Sequence, residues 1–463
     1  MNHISRILIA NRGEIALRII KACKVLGIQS VLAVSDLDRD SLPARLADRT
    51  ICIGPAPPRE SYLKIDTLIA AALGTNCNAI HPGYGFLAEQ SEFARACEKQ
   101  ALTFIGPRSE TIRQMGNKLL ARKMAKELAV PVVPGSDEVK DFQQMQAVVE
   151  DIGLPLLVKA ASGGGGRGMK IVTDSLNLKE TFEIARQEAQ SAFGDPSLYV
   201  ERYIPSARHI EIQVLGDQQG TVIHLGERDC SLQRRYQKII EEAPAYCLTD
   251  QKREQVRHLA VVMAGGIKYE NAGTLEFILD EDHGQFYFME MNTRIQVEHP
   301  VTEMVTGVDL VAEQILIADG QPLSLCQADV TITGHAIECR INAELADSQF
   351  QPSPGRIGRW EPAEGTGIRV DSHCYSGYFV PPYYDSLLAK VIASGKDRAA
   401  AIERMDQALD SFIISGVHTT IPFLQFLIRD RDFIQGRVNT RWAEHKVPEF
   451  QAQRSGLSEH KQK

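Results

Sequence analysis

The hydrophobic positions of this chain change rhythm along its length, and each change marks a different kind of structure. Arg6-Ile-Leu-Ile-Ala10 is a short apolar run of strand length. Directly after it, Ile15, Ile19, Cys23 and Leu26 recur at helical spacing, and Gly27 stops the pattern before the next apolar run at residues 30–34. Further apolar runs at 51–53, 79–80 and 102–105 alternate with helix-like stretches. Such alternation predicts a parallel sheet with helices on both faces, a Rossmann-like arrangement. Its first strand–helix turn, Asn11-Arg-Gly-Glu14, lacks the Gly-x-Gly-x-x-Gly of a dinucleotide site. A second glycine-bearing loop, His81-Pro-Gly-Tyr-Gly-Phe86, follows another strand end, where open sheets place their binding crevices.

Near residue 114 the pattern changes. Leu120, Met124 and Leu128 mark a helix that Pro131 and Pro134 end. From 154 to about 200 comes a strand, a glycine loop, a strand, a helix and a strand, a small α+β flap ahead of a larger body. Antiparallel signals follow at 210–215, 221–225, 274–279 and 285–289, with a turn composition at 280–284 that joins the last two as a hairpin. A third segment begins near Gly334, carries the loop Gln351-Pro-Ser-Pro-Gly355, and ends in a helix from Arg398 to about Phe412 and a charged tail expected to fray.

A length of 463 residues implies two to four domains. The formal net charge of −8 gives no support to a nucleic-acid or membrane partner, so any phosphate site needs a local basic pocket. Nine scattered cysteines without a Cys-x-x-Cys pair read as reduced thiols, not as disulfides or a zinc site. The apolar run near the N-terminus is too short for a signal peptide or membrane span, so a soluble cytoplasmic protein is expected.

The chemistry concentrates in a few segments. From 290 to 298, Glu290, Asn292, Arg294, Gln296 and Glu298 stand at every second position, which in extended chain shares one face. Glu290 and Asn292 offer hard oxygen donors suited to Mg²⁺, and a cation followed by a second carboxylate suits an anionic substrate and a proton acceptor. Glu276, in the other arm of the hairpin, would lie about 5 Å from this row, close enough to need a cation between the carboxylates. Lys159-Ala-Ala-Ser-Gly-Gly-Gly-Gly-Arg-Gly-Met169 joins two expected strands and is not a Walker A loop. With Lys159, Arg167 and the upstream Lys118 it reads as a flap over a triphosphate, rather than a plain flexible connection. The polar run Glu227-Arg-Asp-Cys-Ser-Leu-Gln-Arg-Arg-Tyr-Gln-Lys238 has the composition of a solvated face, except that Lys238 leads into Ile239-Ile240. Cys230 reads as a small buried hydrophobe, and His209 taken alone as structural.

Together the glycine loop, the Glu227–Arg235 run, Glu290-Met-Asn-Thr-Arg-Ile-Gln-Val-Glu-His-Pro300 and Glu338-Cys-Arg-Ile-Asn342 resemble the biotin carboxylase family of the ATP-grasp superfamily, from about Arg6 to about Trp442. The resemblance implies a pre-ATP-grasp domain over 1–113, an ATP-grasp domain over 114–322 with a mobile lid at 131–203, and a C-terminal biotin carboxylase domain over 334–445. It implies ATP contacts from Lys118, Lys159, Gly165, Gly166, Glu201, Arg202, Ile204, His209, Tyr236, Glu276 and Glu290. Mg²⁺ or Mn²⁺ would be held by Glu276, Glu290 and Asn292. Bicarbonate would be surrounded by Lys238, Arg294, Gln296 and Val297, with Glu298 as its base, and the ureido group of biotin would face Arg340, with Asp385 in support.

The implied reaction is ATP- and bicarbonate-dependent carboxylation of biotin through carboxyphosphate. No Met-Lys-Met sequence occurs here, so the biotin is expected on a separate biotin carboxyl carrier protein. A carboxyltransferase component and a homodimeric partner complete the expected assembly, with acetyl-CoA carboxylase the leading holoenzyme and propionyl-CoA, pyruvate or urea-type carboxylases the alternatives. Departures from the family pattern lie at Tyr236, where the best-studied bacterial subunits carry histidine, at Arg202, where they carry lysine, and around 21–25 and Thr366, near their dimer contacts. The rivals are another ATP-grasp ligase and a catalytically idle assembly subunit.

Overall fold

The computed structural model describes residues 3–161 and 169–460. Strands β1 (Arg6–Ile9), β2 (Gln29–Ser35), β3 (Arg49–Gly54), β4 (Ala79–His81) and β5 (Thr103–Phe104) form a parallel sheet in the order β3-β2-β1-β4-β5. Both faces are covered, as expected. Ile7 and Ile9 pack with Ile15, Ile19 and Cys23 of helix α1 (Gly13–Val25), while Leu8 points into a second core with Leu68 and Phe93. The strand order reverses between β1 and β4, and the two loops leaving these strands meet there. The Asn11 side chain donates to the carbonyls of Pro82 at 2.6 Å and Tyr84 at 2.7 Å. Gly83 has φ +63°, and a Cβ there would lie 2.9 Å from the Asn11 amide nitrogen, so the close approach requires glycine.

Strands β6 (Gly135–Val139), β7 (Leu156–Ala160), β8 (Lys170–Val172) and β9 (Leu198–Arg202) form an antiparallel sheet in the order β6-β9-β7-β8. Met145, Leu156, Val158, Phe182, Ala185 and Val200 belong to a core of this unit's own. Sequence pattern locates β7, β8, β9 and the helix Leu178–Phe193, but not β6 or the helix Phe142–Ile152. That helix fully buries only Met145, yet Phe142, Val148, Val149 and Ile152 pack beside it at helical spacing, a periodic signal that the sequence reading passes over. The glycine loop at 162–168, with Gly165 and Gly166, lies outside the described residues.

The remaining strands make one eight-stranded sheet: β10 (Ala207–Gly216), β11 (Val222–Arg234), β12 (Gln237–Ala243), β13 (Asn271–Asp280), β14 (Gln285–Asn292), β15 (His335–Asn342), and the strands Ile368–Ser372 and Leu387–Gly395. The order is β14-β13-β10-β11-β12-β15, then Leu387–Gly395 and Ile368–Ser372, all antiparallel and continuous across residue 334. β13 and β14 form the expected hairpin, over Phe277, Phe286 and Phe288, all fully buried. The polar run at 227–234 is no solvated face. It extends β11 well beyond its apolar start, with every residue from Glu227 to Gln233 buried. The chain then reverses through Arg235 and Tyr236, both at positive φ (49° and 64°), a two-residue turn of the kind that matches strand twist. The tail expected to fray instead forms the helix Trp442–His460. Trp442, Ala443, Val447 and Phe450 recur at helical spacing, and the Phe450 ring stands 5.2 Å from Phe423 in the C-terminal core.

Candidate active site

Three carboxylates stand in register across neighbouring strands: Glu211 of β10 faces Glu276 of β13, which faces Glu290 of β14. Directly opposed like charges repel, so such a row persists only with cations between its members. The fold supplies them from elsewhere in the chain. Lys238 of β12 reaches into the row, pairing closely with Glu211, at 3.0 Å with Glu276 and at 2.8 Å with Glu298. Arg228, fully buried, donates to Glu211 at 2.9 Å and to Gln213, Thr274 and Thr302. His209 lies 3.2 Å from Glu276, and Lys118 3.0 Å from Glu290.

Burial alone would raise the Glu298 carboxyl, but Lys238, Arg340 and Arg228 outweigh it and hold Glu298 well below the usual carboxylate range. Glu276 is lowered in the same way, burial being overcome by Lys238 and His209. The Lys238 ammonium is disfavoured by burial yet held well above its ordinary value by Glu211, Glu276 and Glu298. The cluster is therefore a charged interior.

The segment carrying Glu290 to Glu298 corrects the strand expectation. β14 ends at Asn292; the chain bends at 293–294 and turns at 297–298 into the helix His299–Thr306. A strand continued to Glu298 would carry it about 26 Å from Glu290. The bend brings it back to the cluster. Asn292 and Gln296 donate to Glu276 at 2.8 and 3.3 Å. Arg294 donates to Asn292 at 3.1 Å and Gln296 at 2.9 Å, and pairs with Glu89 at 2.8 Å.

Arg340 of β15 bridges two carboxylates, with Nε 2.6 Å from Glu241 and Nη2 2.8 Å from Glu298. Burial, opposed by Arg340 and reinforced by Glu298, pushes the Glu241 carboxyl up to about 7. Asp385 lies on an exposed loop, where its carboxylate accepts from the Leu387 amide at 2.9 Å.

A second group lines the side nearer the four-stranded sheet. Lys159 of β7 pairs with Glu201 of β9 at 2.5 Å, and Arg122 pairs with the same carboxylate. Arg202 joins the two sheets through Asp280 at 3.2 Å and the Tyr287 hydroxyl at 3.0 Å. Ile204 is half-buried just after β9, and Tyr236 is 54% exposed at the β11–β12 turn.

Sequence reasoning missed Glu211, Arg228, Glu241, Glu89 and Arg122. The first carries a detectable signal, since His209, Glu211 and Gln213 alternate along β10; the others are brought in by pairing across the fold. Glu276 and Glu290, directly opposed in register, offer the hard oxygen donors a divalent cation takes, their charge balanced here by Lys238, His209 and Lys118, while Asn292 beside them turns its amide nitrogen to Glu276 and its oxygen to Arg294.

Family models match most of the chain: the N-terminal domain of biotin carboxylase over 3–112, the ATP-binding domain of the carbamoyl-phosphate synthase L chain over 117–326, and the C-terminal domain of biotin carboxylase over 338–445. Biotin carboxylase 1 of Bacillus subtilis is 50% identical over 95% of this chain and 98% of its own length. A pyruvate carboxylase subunit of Methanothermobacter thermautotrophicus is 48% identical over 95% of this chain and 89% of its own. The biotin carboxylase domain dimer of Hydrogenobacter thermophilus 2-oxoglutarate carboxylase, solved with MgADP, ADP and bicarbonate, superposes with a TM-score of 0.93 at 47% identity, covering 97% of this chain and 99% of that one. With the N-terminal, ATP-grasp and C-terminal domains all matched, this chain belongs to the biotin carboxylase family of ATP-dependent ligases.

Proposed function

We propose that Glu298 is the base for bicarbonate and that Lys238, Arg294 and Arg340 hold the anions of the reaction. The observation that carries this reading is the buried Glu298 carboxylate, 2.8 Å from Lys238 on one side and 2.8 Å from Arg340 on the other. Bicarbonate is a weak nucleophile whose proton must leave as its oxygen attacks phosphorus, and an ionised carboxylate in contact with it supplies the acceptor. The attack on the γ-phosphorus of ATP expels ADP and forms carboxyphosphate, which breaks down to CO₂ and phosphate. Phosphate then takes the N1 proton of biotin while Arg340, with Arg294, stabilises the enolate; oriented cations of this kind contribute about 10²–10³ in rate.

Gln296 and the Val297 backbone complete the bicarbonate site, and Asp385 supports the biotin side. Lys118, Lys159, Glu201, Arg202, Ile204, His209 and Tyr236 line the nucleotide. Mg²⁺ or Mn²⁺ held by Glu276, Glu290 and Asn292 would neutralise the phosphates during transfer. The separate core of the four-stranded sheet supports its closing over the nucleotide as a body.

The biotin arrives on a carrier protein, and a carboxyltransferase passes the carboxyl group on. Acetyl-CoA carboxylase is the leading holoenzyme. Relatives from pyruvate and 2-oxoglutarate carboxylases, at similar identity, favour those systems as the second reading. A homodimer, as in the Hydrogenobacter structure, and a cytoplasmic setting belong to the same proposal. Among the described residues no helix is long and apolar enough to cross a membrane. The test is ADP release with and without bicarbonate and free biotin. Release that requires bicarbonate and rises with biotin is expected; equal release without bicarbonate overturns the reading.

A further inference from the structure

Lys390, in the strand Leu387–Gly395, is fully buried. Its ammonium donates to the Val297 carbonyl at 2.8 Å and pairs with Glu14 at 3.1 Å, with Asp371 4.0 Å away. These partners come from distant parts of the chain. Glu14 opens α1, Val297 precedes the helix His299–Thr306, and Asp371 lies on the neighbouring strand Ile368–Ser372. A buried ammonium is costly unless its charge and its donors are matched. Burial opposes the charge of Lys390, but Glu14, Glu338 and Asp371 hold it raised.

The balance of charge around it can be followed group by group. Asp371 is shared with Arg369 at 2.6 Å. Glu338 faces Lys390 from β15, yet burial, opposed by Lys390 and reinforced by Glu241, pushes its carboxyl well above the ordinary range, and neither of its oxygens has a hydrogen-bond partner among the described residues. Burial, opposed by Lys390 and reinforced by Asp371, pushes the Glu14 carboxyl up as well, but of these two carboxyls it is Glu14 that meets the ammonium, at 3.1 Å. A further donor of the ammonium goes to a backbone carbonyl next to the proposed base.

That carbonyl matters because of what it orients. His299 Nδ1 lies 2.8 Å from the Gln296 carbonyl, and Lys390 holds the next carbonyl along. A peptide unit is planar, so pinning two successive carbonyls fixes both planes and the point from which the Glu298 side chain departs. We propose that Lys390 is a positioning residue for bicarbonate deprotonation: its hydrogen bond to Val297 holds the Gln296–Glu298 turn so that Glu298 meets Lys238 and Arg340. This rests on the reading of Glu298 as the base. Lys390 itself touches no reacting atom.

Two variants separate this role from plain charge balance. Lys390→Met leaves Glu14 buried without its cation and should lower Tm as well as activity. Adding Glu14→Gln removes that charge while keeping an acceptor for the Tyr84 hydroxyl, which Glu14 now binds. In Lys390→Met/Glu14→Gln, Tm should recover toward wild type. KM for bicarbonate should remain raised and kcat for bicarbonate-dependent ATP cleavage lowered, together by roughly 10- to 100-fold, with KM for ATP near normal. If the double variant regains bicarbonate KM and kcat along with Tm, or if Lys390→Met is as active as wild type, the positioning role is overturned. A wild-type chain without bicarbonate-dependent cleavage would overturn the base assignment as well, so the two failures are told apart.

Discussion

In the four-stranded sheet, β7 buries Leu156, Val158 and Ala160 while Leu157 and Lys159 stay half-buried; in the eight-stranded sheet, all of β10 is buried, including Arg208, His209, Glu211 and Gln213. Both strands alternate. The first turns its apolar side to a private core and leaves its other side partly open. The second sends Ile210, Ile212 and Val214 into one core and His209, Glu211 and Gln213 into a second, polar interior. Alternation thus reports that two faces differ, but not that the polar face meets water. Where both faces are covered, the polar one must be satisfied by pairing, and here that pairing assembles the candidate active site.

The comparison predicts very different sensitivities. Arg228→Met removes the cation that donates to four buried side chains and should cost about 3–5 kcal/mol of stability, read by chemical denaturation. A change within about 1 kcal/mol would mean the polar interior is far less constrained than its geometry states. Leu156→Ala should cost about 2–4 kcal/mol through a cavity in the four-stranded core. Its effect should stay local: hydrogen exchange should quicken within 135–202 and hold steady in β10 to β13, whereas equal loosening of both would make the sheets one cooperative unit. The smallest effect is expected for Lys170→Ala, which removes a half-exposed pair with Glu188 at 2.9 Å and should shift stability by less than about 1 kcal/mol.

Much of the fold is legible in sequence because its strands and helices follow simple periods. The N-terminal parallel sheet, helix α1 and the β13–β14 hairpin stand where apolar spacing puts them. Glu276 and Glu290 lie in the two arms of the expected hairpin, but they are directly opposed only because the register shifts by one residue between Glu276 and Phe277; the turn alone would set Glu276 opposite Met289, and no local pattern announces that bulge. The misreadings have physical causes. Period 2 in 290–298 looks like a strand, but Glu298 reaches the cluster only because the strand stops at Asn292. The polar run of β11 resembles surface because nothing local reveals that Arg253 and Arg257 cover Glu227 while Glu211 meets Arg228. Glu241, which holds Arg340, and Lys390, which holds the Val297 carbonyl, are invisible until strands far apart in sequence are laid side by side.

The central claim is that Glu298, held as a carboxylate between Lys238 and Arg340, takes the proton of bicarbonate. Glu298→Gln keeps the shape and removes the acceptor. Measured as paired ADP release and carboxybiotin formation, with ATP affinity followed in parallel, it should lose bicarbonate-dependent ADP release by roughly 10²–10⁴-fold while ATP affinity stays close to wild type. Arg294→Ala, in the same assay, should depress carboxybiotin formation more than ADP release. Normal turnover by Glu298→Gln, or a loss confined to ATP binding in both variants, would contradict the account.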